Sequence, residues 1–324
     1  MNVLKVLIFL ILLPSISHAY RECPADMVLW QAPGMLEPDC TCPFGKKLLR
    51  KLNNGSALYN SSLFLGRCSP AYSSTAATPY EADPASKSNL VLWLDADDPY
   101  NSGGGGGSAP AGALAKWRDK SVNNFSLTAG CVSGSGPFYV YPATKPTNRV
   151  PNYIDFYNNG QCSYQTNLSA VNLSSGVTVF AVVNLNAGVT AGYGGIVEHR
   201  APAGTSGFAL LHKTGVNGFW FEGYNGGNCH VDSTNSANTW YLVTGVWKSD
   251  GTVQLYINGA SQGTCSTSAP PATITSATGI GTRTYDTTVF PGSIAEIIVY
   301  NNGGLTATQL ANINNYLNTK WTIY

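Results

Sequence analysis

Charged side chains are scarce in this sequence: only 11% of its 324 residues are Asp, Glu, Lys or Arg, against about 25% in an ordinary soluble domain. The 18 Lys and Arg nearly balance the 17 Asp and Glu, so the formal net charge is +1. This balance excludes a nucleic-acid-binding protein that relies on a broad basic surface, and it excludes an acidic disordered tail. The hydrophobic fraction of 44% still allows a sizeable core beneath a neutral surface.

Long apolar runs are missing except at the N terminus. There Lys5 precedes the apolar run Val6–Leu13, and Ser17-His18-Ala19 offers a small-residue cleavage site before Tyr20. This pattern predicts a secretory signal peptide over residues 1–19. Because a bilayer core needs about 20 apolar residues, the run is too short to span it, and we expect no transmembrane segment after cleavage. The expected location is secreted or extracellular, on the surface of a cell, appendage or virion, or periplasmic if the protein is retained.

All eight cysteines follow the predicted cleavage site, and an even number in an exported chain indicates disulfides. Four crowd into a stretch too short to bury much core, and four are spread over the remainder: Cys23, Cys40, Cys42, Cys68, Cys131, Cys162, Cys229 and Cys265. No histidine lies near the first four, which argues against zinc. Four cysteines allow three pairings in each half. For the second half we predict the pairs Cys131–Cys162 and Cys229–Cys265.

Composition divides the mature chain into three parts. Residues 20–72 form a small cysteine-rich module, which also carries the basic cluster 46–51. Residues 73–88 are mostly Ser, Thr, Ala and Pro without apolar periodicity, so they predict a linker. Residues 89–324 carry the folded body. The basic cluster fits either a contact with an acidic surface or the solvated face of a small domain, and the second is the more frequent reason for a charge run.

Short β-strands separated by turn residues follow from Asn89 onward. The run Val177–Val183 predicts a buried strand by its length and its β-branched content. The segments Trp240–Trp247 and Thr252–Asn258 predict a hairpin, because Asp250-Gly251 between them supplies the positive φ of a tight turn.

One helix is predicted, at the C-terminal end. Thr306 and Gln309 form a capping box, and apolar residues then repeat at helical spacing to about Lys320. Many short strands, frequent glycine turns and a single terminal helix indicate an all-β fold. We therefore expect an antiparallel two-sheet sandwich with one C-terminal helix, preceded by the small cysteine-rich module.

Several separated motifs also agree in order with a known family. They are Asn89–Asp98, Trp117–Ser121, Tyr153–Phe156, Thr178–Val183, Asn238–Val243, Val253–Gly259, Gly292–Tyr300 and Leu305–Trp321. Over about residues 89–324 the chain resembles laminin-G-like domains of the concanavalin A-like lectin/glucanase superfamily. The resemblance implies a jelly-roll sandwich. It leaves the function open, because this sandwich hosts lectins, glycosidases, adhesion modules and structural domains.

The residues for catalysis are missing from the sequence. Catalytic members of the superfamily carry Glu-x-Asp-x-Glu or a close variant on one strand, and this chain has no such motif. Glu198 and Glu222 are the candidate acids, but neither has a second carboxylate at strand spacing. The mature histidines, His199, His212 and His230, have no acid partner at a readable spacing and are expected at the surface. We therefore expect no enzymatic activity, with a divergent glycosidase as an alternative.

The segment 219–228 combines aromatic rings with amides and a carboxylate, as sugar-binding sites do. Alternation along a strand sends Phe219 and Phe221 inward and places Trp220 with Glu222 on the opposite face. The predicted ligand-binding residues are Trp220, Glu222, Tyr224, Asn225 and Asn228. The alternative is that Trp220 packs under a loop or under the terminal helix.

Three aspartates, Asp95, Asp97 and Asp98, crowd the turn after a strand. Oxygen ligands at this density can hold calcium, which is common among relatives of this fold. The alternative, which we prefer, is a polar turn whose aspartates accept hydrogen bonds from backbone amides. No other cofactor is expected.

These observations together indicate a protein that acts by binding. The expected role is recognition or adhesion, with the sandwich presenting a glycan-binding or surface-protein-binding face. The alternative is a structural subunit of a surface appendage or virion coat, which would assemble with itself through residues 20–72.

Overall fold

The computed structural model describes four short strands before residue 70 and most of the chain from residue 78 onward. The described ranges are 28–30, 39–41, 47–48, 68–69, 78–100, 112–125, 127–131, 137–140, 152–157, 162–186, 192–201, 204–213, 215, 217–284 and 288–324. The predicted signal peptide lies outside these ranges, as do the side chains of the first four cysteines and of the basic cluster.

Two compact units divide the chain, Met1–Ala76 and Ala77–Tyr324. In the first unit, β1 (Val28–Trp30) pairs antiparallel with β2 (Asp39–Thr41), and β3 (Lys47–Leu48) pairs antiparallel with β4 (Cys68–Ser69). Self-assembly through residues 20–72 stays a prediction.

The second unit, here called the sandwich, begins before Asn89. A short α-helix, Pro79–Ala82, and a 3-10 helix, Pro84–Asn89, occupy most of the segment for which the sequence predicts a linker. Their side chains pack on the body: Tyr80 meets Trp93 edge to face with ring centroids 5.9 Å apart, and Ala82 is buried. Each of these short elements starts at a proline, whose fixed φ suits the first position of a helix. Elements this short do not show the apolar periodicity by which a long helix is recognised in a sequence.

One sheet of the sandwich has seven antiparallel strands. In spatial order it runs β15, β14, β13, β12, β19, β10, β7. The bounds of these strands are β7 Thr128–Cys131, β10 Cys162–Thr166, β12 Gly195–Arg200, β13 Ser206–His212, β14 Phe219–Asn225, β15 Asn228–Asp232 and β19 Thr278–Ile280.

The other sheet has nine strands. Its main order is β18, β17, β16, β11, β20, β9, β8, β6, and β5 pairs with β20 beside this path. The bounds are β5 Leu90–Asp95, β6 Gly112–Ala113, β8 Phe138–Val140, β9 Tyr153–Asp155, β11 Gly176–Leu185, β16 Trp240–Lys248, β17 Thr252–Ile257, β18 Ala260–Ser266 and β20 Gly292–Tyr300.

The core lies between the two sheets, and glycines let the sheets approach closely. A Cβ atom at Gly245 on β16 would lie 2.2 Å from the Phe221 ring, and one at Gly223 on β14 would lie 2.7 Å from the Trp247 ring. Phe221 and Trp247 are both fully buried. These contacts fix which side of β14 faces the core. The predicted two-sheet sandwich is confirmed.

The C-terminal helix, Ala307–Trp321, begins at the predicted capping box. Thr306 Oγ1 accepts a hydrogen bond from the Gln309 amide at 3.2 Å, and Gln309 Oε1 accepts one from the Thr306 amide at 2.9 Å. The helix lies on the nine-stranded sheet, buries Ile313 and Leu317, and ends at Thr322 in the left-handed conformation. Within the described residues, no helix combines the length and hydropathy needed to cross a membrane.

The predicted disulfide Cys229–Cys265 is present and joins β15 to β18. It therefore staples an edge strand of the seven-stranded sheet to an edge strand of the nine-stranded sheet. Cys162 is also disulfide-bonded, and the strand register places Cys131 directly opposite it, as the predicted Cys131–Cys162 pair requires.

Candidate functional site

The side of the seven-stranded sheet that points away from the core is here called the outer face. On β14 the core takes Phe219 and Phe221, so alternation places Trp220, Glu222 and Tyr224 on the outer face. This is the arrangement that the sequence predicts. Asn228 is exposed and stands opposite Tyr224 in the register, so it shares this face.

Asn225, also predicted as a ligand residue, lies at the end of β14. By alternation it belongs to the opposite side from Tyr224. Its Nδ2 donates a hydrogen bond to the Ala269 carbonyl at 2.8 Å, which ties β14 to the segment after β18. The structure therefore brings four of the five predicted ligand residues onto one face.

A carboxylate from β12 joins this face. In the register Glu198 stands opposite Ala209 on β13, and Ala209 stands opposite Glu222 on β14. Because the intervening side chain is only a methyl group, Arg200 reaches both carboxylates. Its Nη1 lies 2.6 Å from Glu222 Oε1 and 3.7 Å from Glu198 Oε1. We call Glu198, Arg200 and Glu222 the outer-face cluster.

A glycine on β13 makes the close strand pairing at this cluster possible. Gly207 stands opposite Arg200 and has a φ of +128°, which side-chain-bearing residues rarely adopt. A Cβ atom there would lie 2.2 Å from the His199 carbonyl oxygen. Only glycine therefore fits at this point.

Glu198 is buried more deeply than its two partners. It is fully buried, and burial raises the pKa of its carboxyl above the usual range, although the Thr284 amide and Arg200 oppose this effect. The Thr284 amide donates to Glu198 Oε2 at 2.5 Å from the loop between β19 and β20. Side chains of Arg200 and Glu222 are 10% and 5% exposed, so this ion pair is largely shielded from water.

Aromatic rings surround the cluster toward the edge of the sheet. Trp220 stacks on His230 of β15 with centroids 3.6 Å apart and planes 15° apart, and the Tyr193 ring meets Trp220 edge to face at 5.3 Å. The Arg200 guanidinium lies 5.6 Å from the Tyr224 ring centroid. Trp220 thus packs against exposed His230 and against Tyr193 of the segment between β11 and β12, so the predicted alternative of a loop over Trp220 stays open.

Several polar atoms of this face have no hydrogen-bond partner among the described residues. They are Glu198 Oε1, Arg200 Nε and Trp220 Nε1. Glu198 Oε1 retains only its longer ion pair with Arg200. Because buried polar atoms are normally hydrogen-bonded, these three atoms retain unused hydrogen-bonding capacity.

The expectation of surface histidines is wrong for two of the three. His199 and His212 are buried, because both lie on strands in the middle of the sheet, whereas His230 on the edge strand is exposed. His199 Nδ1 lies 3.0 Å from Thr278 Oγ1, and burial lowers the pKa of its imidazole to about 4. His199 is therefore neutral at pH 7.

The three predicted aspartates lie at the end of β5 and in the turn that follows it. Asp95 and Asp98 contact lysines, whereas Asp97 Oδ1 accepts a hydrogen bond from Asn152 Nδ2. Asp95 Oδ1 lies 2.7 Å from Lys320 Nζ and accepts from the Asp97 amide at 2.9 Å, and Asp95 Oδ2 lies 2.9 Å from Lys120 Nζ. Asp98 lies 3.6 Å from Lys120. In the part of the chain that the structure describes, no three His, Cys, Asp or Glu side chains are grouped to hold a metal ion. The calcium site stays a prediction.

Asp95 belongs to a second buried charge cluster, here called the helix anchor: Asp95, Glu296 and Lys320. Glu296 is fully buried, and both of its oxygens are saturated. Oε1 accepts from Trp93 Nε1 and the Tyr316 hydroxyl, both at 2.8 Å, and Oε2 accepts from Lys320 Nζ at 2.8 Å and Trp321 Nε1 at 2.6 Å.

The pKa values in the helix anchor follow from burial and from the lysine. Burial raises the pKa of Glu296, against the effect of Lys320. Burial also acts to raise the pKa of Asp95, but the charges of Lys320 and Lys120 outweigh it and hold that pKa below its usual range. For Lys320 the two carboxylates outweigh the cost of burial, so its pKa lies above the usual value.

Comparisons with known proteins agree with the fold of the sandwich. Residues 158–311 match the laminin G-type family model described as the concanavalin A-like lectin/glucanases superfamily. The resemblance expected from the sequence is confirmed over these residues, and the two antiparallel sheets with one C-terminal helix are consistent with a concanavalin A-like jelly roll. No curated protein matches the chain.

Two solved structures have a similar fold at low sequence identity. One is domain 4 of AbnA, a GH43 extracellular arabinanase from Geobacillus stearothermophilus, in complex with arabinotriose: identity is 16%, the TM-score is 0.50, and 70% of this chain and 98% of that chain are covered. The other is the botulinum neurotoxin serotype C1 binding domain, at 13% identity and a TM-score of 0.50. The match covers 71% of this chain and 52% of that one, so this chain spans about half of the toxin domain.

Proposed function

We propose that this protein is an exported recognition or adhesion protein that binds a glycan on the outer face of its seven-stranded sheet. The observation that carries the proposal is the combination, on one face, of aromatic rings with a charge cluster whose polar atoms are incompletely hydrogen-bonded. Trp220, Tyr224 and Glu222 would make the main contacts, with Asn228 at the exposed edge.

The chemistry of a sugar suits this surface. A pyranose or furanose ring has an apolar face that packs on an aromatic side chain, and Tyr224 and the Trp220–His230 pair offer such surfaces. Its hydroxyl groups both donate and accept, so one of them can accept from Trp220 Nε1 of the partly buried indole. A neutral ligand also agrees with the low charge of the chain.

The related arabinanase domain supports the choice of ligand class. Its structure contains arabinotriose, so a jelly roll of this architecture can present an oligosaccharide-binding surface. The disulfide between the two sheets supports export, because such bonds persist in oxidising compartments.

Two observations support binding without catalysis. Glycosidases place two carboxyl groups on opposite sides of the bond to be cleaved, about 5 to 10 Å apart. Glu198 and Glu222 do lie close together, since one Arg200 nitrogen contacts both, but that arginine occupies the space between them. Glu198 is also fully buried, which keeps its carboxyl away from a substrate on the surface.

The experiment that tests this proposal is a glycan array probed with the purified protein, followed by calorimetric titration with the strongest oligosaccharide. We expect Trp220→Ala to weaken binding at least tenfold while the melting temperature changes little, because Trp220 is only partly buried. The matched control is Gln165→Ala, which changes an exposed residue on β10 of the same sheet. Unchanged affinity in Trp220→Ala would rule out this face as the glycan site.

A further inference from the structure

A second candidate site lies at the other end of the seven-stranded sheet, before β7. A cavity of about 150 Å³ is lined by Lys116, Trp117, Arg118, Asn124, Phe125 and Leu127. Leu127 directly precedes β7, whereas the proposed glycan-binding residues lie on β14 and β15 at the opposite edge. We propose that this cavity binds the carboxylate or sulfate group of an acidic sugar. The proposal does not depend on the site on the outer face.

The loop that forms the cavity is fixed by a buried carboxylate. Asp119 is fully buried, and its Oδ1 accepts from the Trp93 and Ser121 amides at 3.0 and 2.8 Å. Its Oδ2 accepts from the Phe125 amide at 2.9 Å and from the Ser121 hydroxyl at 2.8 Å. The Phe125 bond joins the segment 116–119 to the residues that form the other side of the cavity, and the Trp93 bond ties this loop to β5. The site is therefore formed before any ligand arrives.

Two cations flank the cavity. Lys116 and Arg118 line the cavity and are exposed, on either side of buried Trp117 in the sequence. Neither forms an ion pair with an acidic side chain in the described ranges. Asp119 is the nearest acid in the sequence, but its oxygens are already hydrogen-bonded within the loop. Two positive charges against one negative charge favour an anion.

Trp117, one of the lining residues, also carries an unused hydrogen-bond donor. Trp117 is fully buried, and its Nε1 has no acceptor among the described residues. An unpaired buried N–H group destabilises a protein, and such groups are rare in native structures. An oxyanion in the cavity would supply the missing acceptor. Arg118 could add a bidentate contact, because its planar guanidinium matches the two oxygens of a carboxylate.

The size of the cavity limits the ligand. A volume of 150 Å³ is about that of an apolar protein cavity that accommodates a benzene ring. It therefore has room for the acidic group of a sugar, with most of the sugar ring outside. The walls also offer Phe125 and Trp117 as apolar surfaces for the ring. These features favour a uronic acid or a sulfated sugar over a larger acidic molecule.

The test is calorimetric titration of the protein with three probes: glucuronate, neutral glucose, and inorganic sulfate. The protein is produced in the oxidising periplasm of a bacterium, so that its disulfides form and the sequon Asn124-Phe125-Ser126 beside the cavity stays unmodified. We expect glucuronate to bind at least tenfold more tightly than glucose, and its affinity to fall as ionic strength rises.

Variants assign the binding to the cavity. The double change Lys116→Ala and Arg118→Ala removes two exposed charges and should weaken glucuronate binding at least tenfold, about the loss of one charge-assisted hydrogen bond. Trp117→Phe keeps a ring and removes only the Nε1 donor, so it should weaken binding by a smaller factor. The control is the double change Lys248→Ala and Lys87→Ala, which removes the same charge from two positions outside the cavity.

The outcomes are distinguishable. Equal affinity for glucuronate and glucose, or full affinity in the Lys116→Ala/Arg118→Ala protein, would overturn the proposal. Sulfate binding as tightly as glucuronate would support the oxyanion site but overturn its assignment to an acidic sugar. Tighter binding of glucuronate than of both other probes, lost in the double variant and kept in the control, is the expected result.

Discussion

The two buried charge clusters of the sandwich differ in how completely their atoms are hydrogen-bonded. In the helix anchor, Glu296 receives four hydrogen bonds, from two indoles, a hydroxyl and an ammonium group. In the outer-face cluster, Glu198 Oε1 and Arg200 Nε have no hydrogen-bond partner within the described residues. A buried charge is tolerated only when it is paired and hydrogen-bonded, so the saturated cluster has a structural role and the unsaturated one can still bind.

Their positions agree with this distinction. The helix anchor lies beneath the C-terminal helix. That helix supplies Lys320, and its Tyr316 and Trp321 side chains donate to Glu296. The outer-face cluster is adjacent to the exposed residues His230 and Asn228 on the edge strand. The first cluster should therefore control stability and the second should control affinity.

The largest effect is expected from breaking the helix anchor. Lys320→Met leaves Glu296 and Asp95 as buried carboxylates without their shared cation, which should lower the free energy of unfolding by about 3 to 5 kcal/mol. Chemical denaturation measures this loss. Lys248→Met is the control, since Lys248 lies at the end of β16 outside the cluster and should change stability by less than about 0.5 kcal/mol. A small loss of stability in Lys320→Met would show that the helix anchor does not stabilise the fold.

The second prediction concerns the pH dependence of stability. It arises from His199, the residue between Glu198 and Arg200 on β12. His199 has a folded pKa of about 4, below the value of about 6.5 in an unfolded chain. Between these values the unfolded state binds the proton and the folded state does not, so stability falls as pH drops from about 6.5 to about 4. The loss should reach about 3 kcal/mol at most.

Denaturation curves at pH 7, 5.5 and 4.5 for the wild type and His199→Gln test this effect. The variant should lose less stability over this interval than the wild type does, whatever its stability at pH 7. Parallel losses in the two proteins would assign the acid sensitivity to other groups.

A third change separates stability from affinity within the outer-face cluster. Glu222→Gln keeps an oxygen that can accept from Arg200, so it should lower the free energy of unfolding by only about 1 kcal/mol. Its affinity for the oligosaccharide selected on the array should fall about tenfold, because the charge is lost at the binding face. If stability fell as much as in Lys320→Met while binding persisted, the two clusters would have the same structural role.

The smallest effect is expected for an ion pair at the rim of the same face. Lys213 and Asp232 form an ion pair whose side chains are 27% and 40% exposed. Exposed pairs contribute little, so Lys213→Ala should change stability by less than about 0.5 kcal/mol. Thermal denaturation at low and high salt checks this. A stability loss as large as that of Glu222→Gln would show that the exposure of an ion pair does not predict its contribution to the stability of this protein.

Local features of the fold could be predicted from the sequence. The capping box at Thr306 and Gln309 depends on residues three positions apart, and the alternation of Trp220, Glu222 and Tyr224 depends on one strand alone. The disulfide Cys229–Cys265 could be predicted because only two further cysteines were available in that half of the chain.

Features that depend on strand order could not be predicted. Glu198 and Glu222 meet only because β13 lies between their strands and places Ala209 there, and Glu296 meets Trp93 across 203 positions of sequence. The burial of His199 and His212 likewise follows from the central positions of β12 and β13. Glu198 and Arg200 are two positions apart, so a strand through them would place both side chains on one face, and this spacing was the available signal.

The most direct test is a ¹H–¹⁵N spectrum of the tryptophan indole groups during titration with the oligosaccharide selected on the array. The indole N–H of Trp220 has no acceptor among the described residues, whereas those of Trp93 and Trp321 donate to Glu296. We predict that the Trp220 signal shifts as ligand is added and that the Trp93 and Trp321 signals stay in place. Movement of the Trp93 and Trp321 signals with a constant Trp220 signal would contradict the assignment of binding to the outer face.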